Sequence, residues 1–259
     1  MQYKRILLSI LFIFGISLTT KAQRAEVGIV AGGAGYIGDL NQYNLTKISG
    51  ITAGAFAKVN FTPFIGLGLH YNYGKIKAND LNSSNQQFKD RGLNFNTSLN
   101  EVSLIADVNF LDAFSPISKR RFTPYVFAGI GGVLYTPRAN YTNFNNEILS
   151  DYQTNADING TSIPYKPYAI TIPYGAGVKY RLTNYLTLSS QIGYRTALTD
   201  YLDDVGGYYT GEGTPDDPSI IGGAGRIGTQ RGDLRKRDTY MFVSIGISYT
   251  FVSQKCFTF

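Results

Sequence analysis

Apolar and polar residues alternate with a period of two over most of the chain, and this alternation predicts β-strands. The clearest stretch runs from Met241 to Phe251, where alternate residues are apolar or aromatic and those between are mainly Gly, Ser and Thr. Three other stretches are less distinct because Gly and Ala occupy both of their faces. The eight predicted strands cover residues 25–35, 48–61, 64–77, 101–110, 123–136, 170–182, 186–195 and 241–251.

The face opposite the apolar one indicates which kind of β-sheet these strands form. It consists mostly of small polar residues with few charges, which suits the interior of a narrow barrel better than a surface in water. Aromatic residues are predicted at both ends of the apolar face, as in the interfacial girdles of membrane barrels. We therefore predict an eight-stranded antiparallel transmembrane β-barrel with long extracellular loops rather than a soluble sandwich. One predicted ring contains Phe61, Phe110, Tyr125, Tyr180 and Phe251, and the other contains Tyr73, Tyr135 and Tyr174.

The first 23 residues have the features of a secretory signal peptide. Lys4 and Arg5 precede an apolar run from Ile6 to Leu18, which is shorter than the roughly 20 residues that a membrane-spanning helix needs. We expect cleavage near Gln23, which leaves one barrel domain over residues 24–259 with a short C-terminal tail.

The lengths of the connections between strands predict the orientation of the barrel. Short or medium connections alternate with long ones, and outer-membrane barrels have short periplasmic turns and long extracellular loops. Both termini are therefore expected on the periplasmic side of the cell outer membrane. The polar composition of 140–161 and 203–238 predicts little fixed structure there. The short connections are 62–63 and 183–184, the medium one is 111–122, and the long ones are 36–47, 78–96, 137–169 and 199–238.

Composition and motifs argue against several other classes of protein. Without the leader the formal charge falls from +6 to about +3, too little for binding nucleic acid. A single cysteine excludes an internal disulfide, and His70 has no second histidine for a metal site. Gly33 to Gly38 spell a dinucleotide-binding pattern, but the polar residues 39–44 that follow have no helical period to hold a pyrophosphate. We predict no enzyme, cofactor or small-molecule substrate.

Seven charged side chains are predicted to point into the lumen. An isolated buried charge is costly, so these groups must pair or be hydrated. A narrow eight-stranded lumen leaves no room for a substrate cleft, so we interpret the set as a structural network of ion pairs. The predicted network contains Glu26, Lys58, Glu101, Asp107, Lys179, Arg181 and Arg195.

Several sequence strings, in their order along the chain, resemble those of a known family. They lie within 26–41, 122–131, 173–179 and 200–205, and at the end in 248–251 followed by Lys255 and Cys256. This combination resembles the Bacteroidota outer-membrane β-barrel family that includes PorG of the type IX secretion system. The resemblance implies a non-enzymatic barrel that links the outer membrane to the periplasmic ring of a protein secretion machine.

Two functional hypotheses follow. In the first, the barrel is a secretion-machine component embedded in outer-membrane lipid, with a periplasmic protein partner such as a secretion-ring lipoprotein. The predicted contacts are the basic turn Lys119, Arg120 and Arg121, and Cys256, because an unpaired cysteine in an exported protein favours a bridge to a partner. The alternative is a general structural or minor-pore surface barrel that binds through its loops.

Overall fold

The computed structural model describes residues 24–38, 41, 46–79, 81, 93–115, 118–142, 148–150, 166–203 and 237–251. The predicted signal peptide and Cys256 lie outside these residues. Nine strands are present in the described part of the chain, and all their pairings are antiparallel. They are β1 (Arg24–Ile37), β2 (Gly50–Asn60), β3 (Ile65–Asn79), β4 (Leu93–Asn109), β5 (Phe122–Thr142), β6 (Ile148–Ser150), β7 (Tyr168–Arg181), β8 (Leu186–Ala197) and β9 (Thr239–Phe251).

Eight of these strands close into a barrel. The first strand β1 pairs with both β2 and the last strand β9, and the remaining neighbours follow the chain order. Pairing of β4 with β5 closes the ring, while the three-residue strand β6 adds to the far end of β5. The predicted eight-stranded antiparallel barrel is therefore confirmed. In the described residues, no helix is both long enough and apolar enough to cross a membrane.

The β4–β5 hairpin is longer than the sequence analysis predicted. β4 begins at Leu93, inside the predicted connection 78–96, and its pairing with β5 runs without a break from Leu93↔Tyr141 to Asn109↔Tyr125. Its first part also alternates, but with the opposite polarity. Phe95 and Leu99 are buried inside while Asn and Ser residues face outward. The extension therefore leaves the apolar band and stands clear of lipid.

The outward face forms a continuous apolar band. Ile29, Leu69, Ile130 and Ile245 are each more than half exposed on four different strands. Such a surface is stable only against lipid, because soluble proteins seldom expose large apolar patches. Exposed aromatic side chains flank one end of the band, among them Phe61, Phe110, Tyr180 and Phe251. Tyr174, predicted for the other ring, lies within the band, because exposed Ile172 and Ile170 lie beyond it on the same face.

Two of the aromatic residues assigned to the girdles were placed on the wrong face. Tyr125 and Tyr135 point into the lumen and are 5% and 2% exposed. Both faces of β5 are apolar here, so the alternation did not decide which of them faces lipid. Val126 and Leu134 take the outward positions instead.

Side chains fill most of the lumen, and glycines on its wall make room for aromatic rings. A Cβ atom at Gly193 would lie 2.6 Å from the ring of Phe127, and one at Gly74 would lie 2.7 Å from the ring of Phe242. Larger residues at these two positions would displace the rings, because packed interiors contain little free space.

Candidate functional site in the lumen and at its turn end

The two ends of the barrel differ in the connections they carry. At one end lie the connections 61–64, 110–121 and 182–185, together with Arg24 and Phe251, where the barrel begins and ends. We call this the turn end. The opposite, loop end carries all the long connections between strands.

Four charged residues from four strands meet in the half of the lumen nearer the turn end. The Lys58 Nζ atom lies 3.1 Å from Glu26 Oε2 and 3.6 Å from Asp107 Oδ1. Lys179 forms a close ion pair with the other oxygen of Asp107. The four make a chain in the order Glu26, Lys58, Asp107, Lys179, which we call the turn-side cluster. All four side chains are buried, so each charge is compensated by its neighbours.

Polar and aromatic neighbours complete the turn-side cluster. Asn60 donates a hydrogen bond of 2.8 Å to Glu26, and Lys179 donates one of 2.9 Å to Asn109. The Lys179 ammonium also lies 4.2 Å from the ring centre of Tyr125, a cation–π distance. The Tyr125 hydroxyl in turn donates to Gln191 at 2.8 Å.

A second ion pair lies in the half of the lumen nearer the loop end. Arg195 Nε is 3.5 Å from Glu101 Oε2, and the two side chains are 1% and 0% exposed. Tyr240 donates a short hydrogen bond to the same carboxylate, and Ser103 donates another at 3.2 Å. The guanidinium of Arg195 lies 4.4 Å from the ring centre of Phe242. We call this group the loop-side pair.

Apolar and aromatic residues separate the two charged groups. His70 stacks on Phe56 with ring centres 5.0 Å apart, and a cavity of about 30 Å³ beside them is also lined by Ile105 and Phe127. Its volume corresponds to about one water molecule. His70 shares this layer with aromatic residues, and the described residues contain no group of three or more potential metal ligands.

The loop end is closed by a packed cluster of large apolar side chains. It includes a residue from the predicted loop 199–238: Leu202, which is 0% exposed and accepts a 2.6 Å hydrogen bond from Thr97. Asp203 and Asp238 are also buried and share the hydroxyl of Tyr36. The expectation of little fixed structure was therefore wrong for both ends of this loop, which dock into the barrel mouth. The cluster is Ala34, Tyr36, Ile76, Phe95, Leu99, Val133, Tyr135, Ala197, Leu202, Tyr240 and Phe242.

At the turn end, two arginines fasten the 110–121 connection across the barrel mouth. Arg181 donates from Nη2 to the Ser118 carbonyl at 2.8 Å and from Nη1 to the Ser115 carbonyl at 3.3 Å. Arg24, from β1, donates a short hydrogen bond to the carbonyl of Phe114. Arg181 thus serves the turn rather than the ion pairs, and it is the one predicted network member that stands apart from both charged groups.

A cavity of about 340 Å³ opens beneath this turn. Its wall includes Arg24, Lys179 and Arg181, so it reaches from the mouth of the barrel to the turn-side cluster. We call it the turn-end cavity. Lys119, Arg120 and Arg121 lie at the same end of the molecule on the outside of the turn, where all three are exposed.

Sequence reasoning missed Arg24 and Tyr240, although the alternation contained the signal for both. Arg24 stands two residues before Glu26, and Tyr240 stands two before Phe242, so each shares the inward face. Tyr240 was missed because the predicted network contains only charged residues.

A family match covers nearly the whole sequence. The model of the family described as "Domain of unknown function (DUF6089)" matches residues 4–259. The chain belongs to the DUF6089 family. A comparison of this DUF6089 protein with curated protein sequences gave no match.

Solved structures similar to the DUF6089 chain are distant. The N-terminal β-barrel domain of Pseudomonas aeruginosa OprF is 14% identical, with a TM-score of 0.37 over 87% of this chain and 97% of that one. Ail of Yersinia pestis, in complex with a heparin analogue, is 11% identical with a TM-score of 0.42, over 89% and 100%. OprG of Pseudomonas aeruginosa is 11% identical with a TM-score of 0.39, over 90% and 97%. The architecture of the DUF6089 barrel therefore rests on its own strand pairing.

Proposed function

We propose that this protein is a non-enzymatic outer-membrane barrel that serves as a component of the type IX protein secretion machinery. In this role its apolar band sits in outer-membrane lipid, and its turn end faces the periplasm and contacts a ring of the machine. The secretion role is supported by the order of sequence strings, which resembles that of the family that includes PorG. The exposed apolar band supports the membrane location.

The proposed contact with the ring is supported mainly by the way the turn 110–121 is held. Hydrogen bonds from Arg24 and Arg181 hold this turn against the barrel mouth, and a further hydrogen bond of 2.9 Å from the Ser115 amide to Asp112 shapes it internally. Three consecutive cations are thereby displayed on a fixed support. A fixed basic patch suits an acidic partner surface, because complementary charge raises the rate of association and selects the partner.

The arrangement of the lumen supports a role without catalysis. The lumen charges pair with one another in the turn-side cluster and the loop-side pair, and the packed cluster fills the loop end of the lumen. A general acid or base requires access to a substrate proton within hydrogen-bond reach. We therefore assign the lumen charges to stability.

One observation favours the alternative of a surface barrel that binds through its loops. The β4–β5 hairpin rises beyond the apolar band with polar residues outward, and β6 widens it. This gives the loop end an ordered β platform of the kind that can present a binding surface. The minor-pore version of the alternative is less favoured, because the loop-end cluster fills the barrel mouth.

A deletion strain complemented with variants tests the proposal. Reversing the charges with Lys119→Glu, Arg120→Glu and Arg121→Glu should reduce both protein secretion and copurification of periplasmic ring proteins. The matched control is Lys75→Glu with Lys77→Glu, two exposed lysines toward the loop end. Normal secretion in the deletion strain itself would reject the secretion role and leave the surface barrel.

The bridge proposed for Cys256 has a separate test. Non-reducing electrophoresis of native membranes should show a larger species that collapses on reduction and is missing in Cys256→Ser. A monomer whose Cys256 is freely alkylated in intact envelopes would show that the tail forms no covalent link.

A further inference from the structure

The turn-end cavity carries more positive than negative charge. Four cations line it or lie directly behind it: Arg24, Lys58, Lys179 and Arg181. Two carboxylates, Glu26 and Asp107, face them from the lumen. Asp112, on the turn, accepts a hydrogen bond from the Ser115 amide. The carboxylates on the lumen side are therefore outnumbered by two.

The two carboxylates are already committed to partners. Glu26 lies 3.1 Å from Lys58 and accepts from Asn60, while Asp107 lies between Lys58 and Lys179. In the described part of the chain, Arg24 and Arg181 donate hydrogen bonds to backbone carbonyls of the turn and form no ion pair. The mouth of the cavity therefore holds two guanidinium charges that no carboxylate among the described residues neutralises, which favours an anion there.

The rest of the wall indicates what kind of anion the cavity fits. Phe61, Pro63, Phe114 and Tyr185 contribute apolar surface beside the cations. A volume of about 340 Å³ is some ten times that of one water and falls at the lower end of ligand pockets. An inorganic anion would leave most of this wall uncovered, whereas a short peptide with an acidic and an apolar side chain would cover it.

We propose that the turn-end cavity binds an acidic peptide segment of a partner protein, with a carboxylate facing Arg24 and Arg181 and an apolar side chain against Phe61 and Phe114. This site lies inside the barrel mouth and is separate from the exposed basic turn. The proposal holds whether or not the barrel belongs to a secretion machine, because it depends only on the cavity.

Fluorescence anisotropy with the full-length protein in detergent micelles tests this binding. The probe is a fluorescein-labelled pentapeptide with blocked ends and one glutamate between two phenylalanines, and the matched probe carries glutamine instead. The wild-type protein should bind the glutamate peptide about tenfold more tightly than the glutamine peptide, because one charge-assisted hydrogen bond contributes about that much. A tenfold excess of inorganic phosphate should leave that peptide bound.

Three variants test whether the peptide binds in the turn-end cavity or is attracted by the positive charge of the protein in general. Arg24→Gln with Arg181→Gln should abolish the preference for glutamate, and Lys75→Gln at the loop end should leave it unchanged. Asn184→Trp places a bulky ring at the cavity wall without removing a cation, and should weaken both peptides at least tenfold.

Three results would overturn the proposal: equal affinity for the two peptides, a glutamate preference that survives loss of both arginines, or unchanged binding in Asn184→Trp. Displacement of the peptide by phosphate would overturn it as well, because the cavity would then be a site for small anions.

Discussion

The two halves of the lumen differ in how they accommodate charge, although the same eight strands form both. The loop-side pair is one arginine and one glutamate beneath a packed cluster of aromatic and aliphatic side chains. The turn-side cluster has two lysines and two carboxylates, and Lys179 and Glu26 border a cavity of about 340 Å³. The charges of the loop-side pair have one ion-pair partner each and hydrogen bonds from packed neighbours. In the turn-side cluster, Lys58 and Asp107 each have two ion-pair partners, and Glu26 and Lys179 lie beside a cavity that can hold water. The same chemical change should therefore cost more near the loop end.

The largest effect is expected from Arg195→Met. It leaves Glu101 as an unpaired charge at 0% exposure, and breaking a buried pair in this way typically costs about 3–5 kcal/mol. Chemical unfolding in micelles should show the loss, and the melting temperature should fall. Adding Glu101→Gln should recover much of it, because removing both charges removes the unpaired one. If the single variant melts like the wild type, Arg195 does not neutralise Glu101.

Leu202→Ala should have the next largest effect. Leu202 is fully buried in the loop-end cluster, and truncating a buried leucine costs about 2–5 kcal/mol. We expect about 2 kcal/mol, since the segment carrying Leu202 can partly collapse into the space. Leu198→Ala is the matched control, because Leu198 is exposed and lies just beyond β8. Equal losses of unfolding free energy in the two variants would show that packing of Leu202 in the loop-end cluster adds no stability.

Lys179→Met makes the corresponding change in the turn-side cluster, so its loss of stability can be compared with that of Arg195→Met. Asp107 keeps Lys58 at 3.6 Å, and water in the adjacent cavity can reach the site, so we expect a loss of about 1–2 kcal/mol. Unfolding of this variant and of Arg195→Met should be measured under identical conditions. A loss as large as that of Arg195→Met would mean that both halves of the lumen are equally dry.

The sequence could predict the barrel because one period governs nearly every strand. A strand with lipid on one side and a narrow lumen on the other must alternate, so the pattern at 241–251 defines both faces at once. The pattern fails where both faces are apolar. Tyr125 and Tyr135 were therefore assigned to lipid although they line the lumen.

The pairing of the charges could not be predicted in the same way. Alternation tells which side chains point inward but not their height in the barrel, which depends on the stagger between strands. Arg181 shows the consequence. It points inward as predicted from its strand, yet it stands at the last residue of β7 and reaches the turn carbonyls instead of a carboxylate. The docking of Leu202 likewise depends on a tertiary contact with Thr97 that no local pattern contains.

The last prediction concerns orientation rather than stability: which half of the lumen faces the cell exterior. In a Cys256→Ser background, single cysteines are placed at Asn184 in the turn end, and at Asn145 and Gly213 in the long connections. If short turns are periplasmic, a membrane-impermeant maleimide should label the latter two in intact cells, and Asn184→Cys only after the envelope is opened. The dry, capped half would then lie toward the exterior, and the turn-end cavity would open where a periplasmic protein can reach it. Labelling of Asn184→Cys alone in intact cells would mean that the barrel has the opposite orientation, with both the cavity and the basic turn on the outside of the cell.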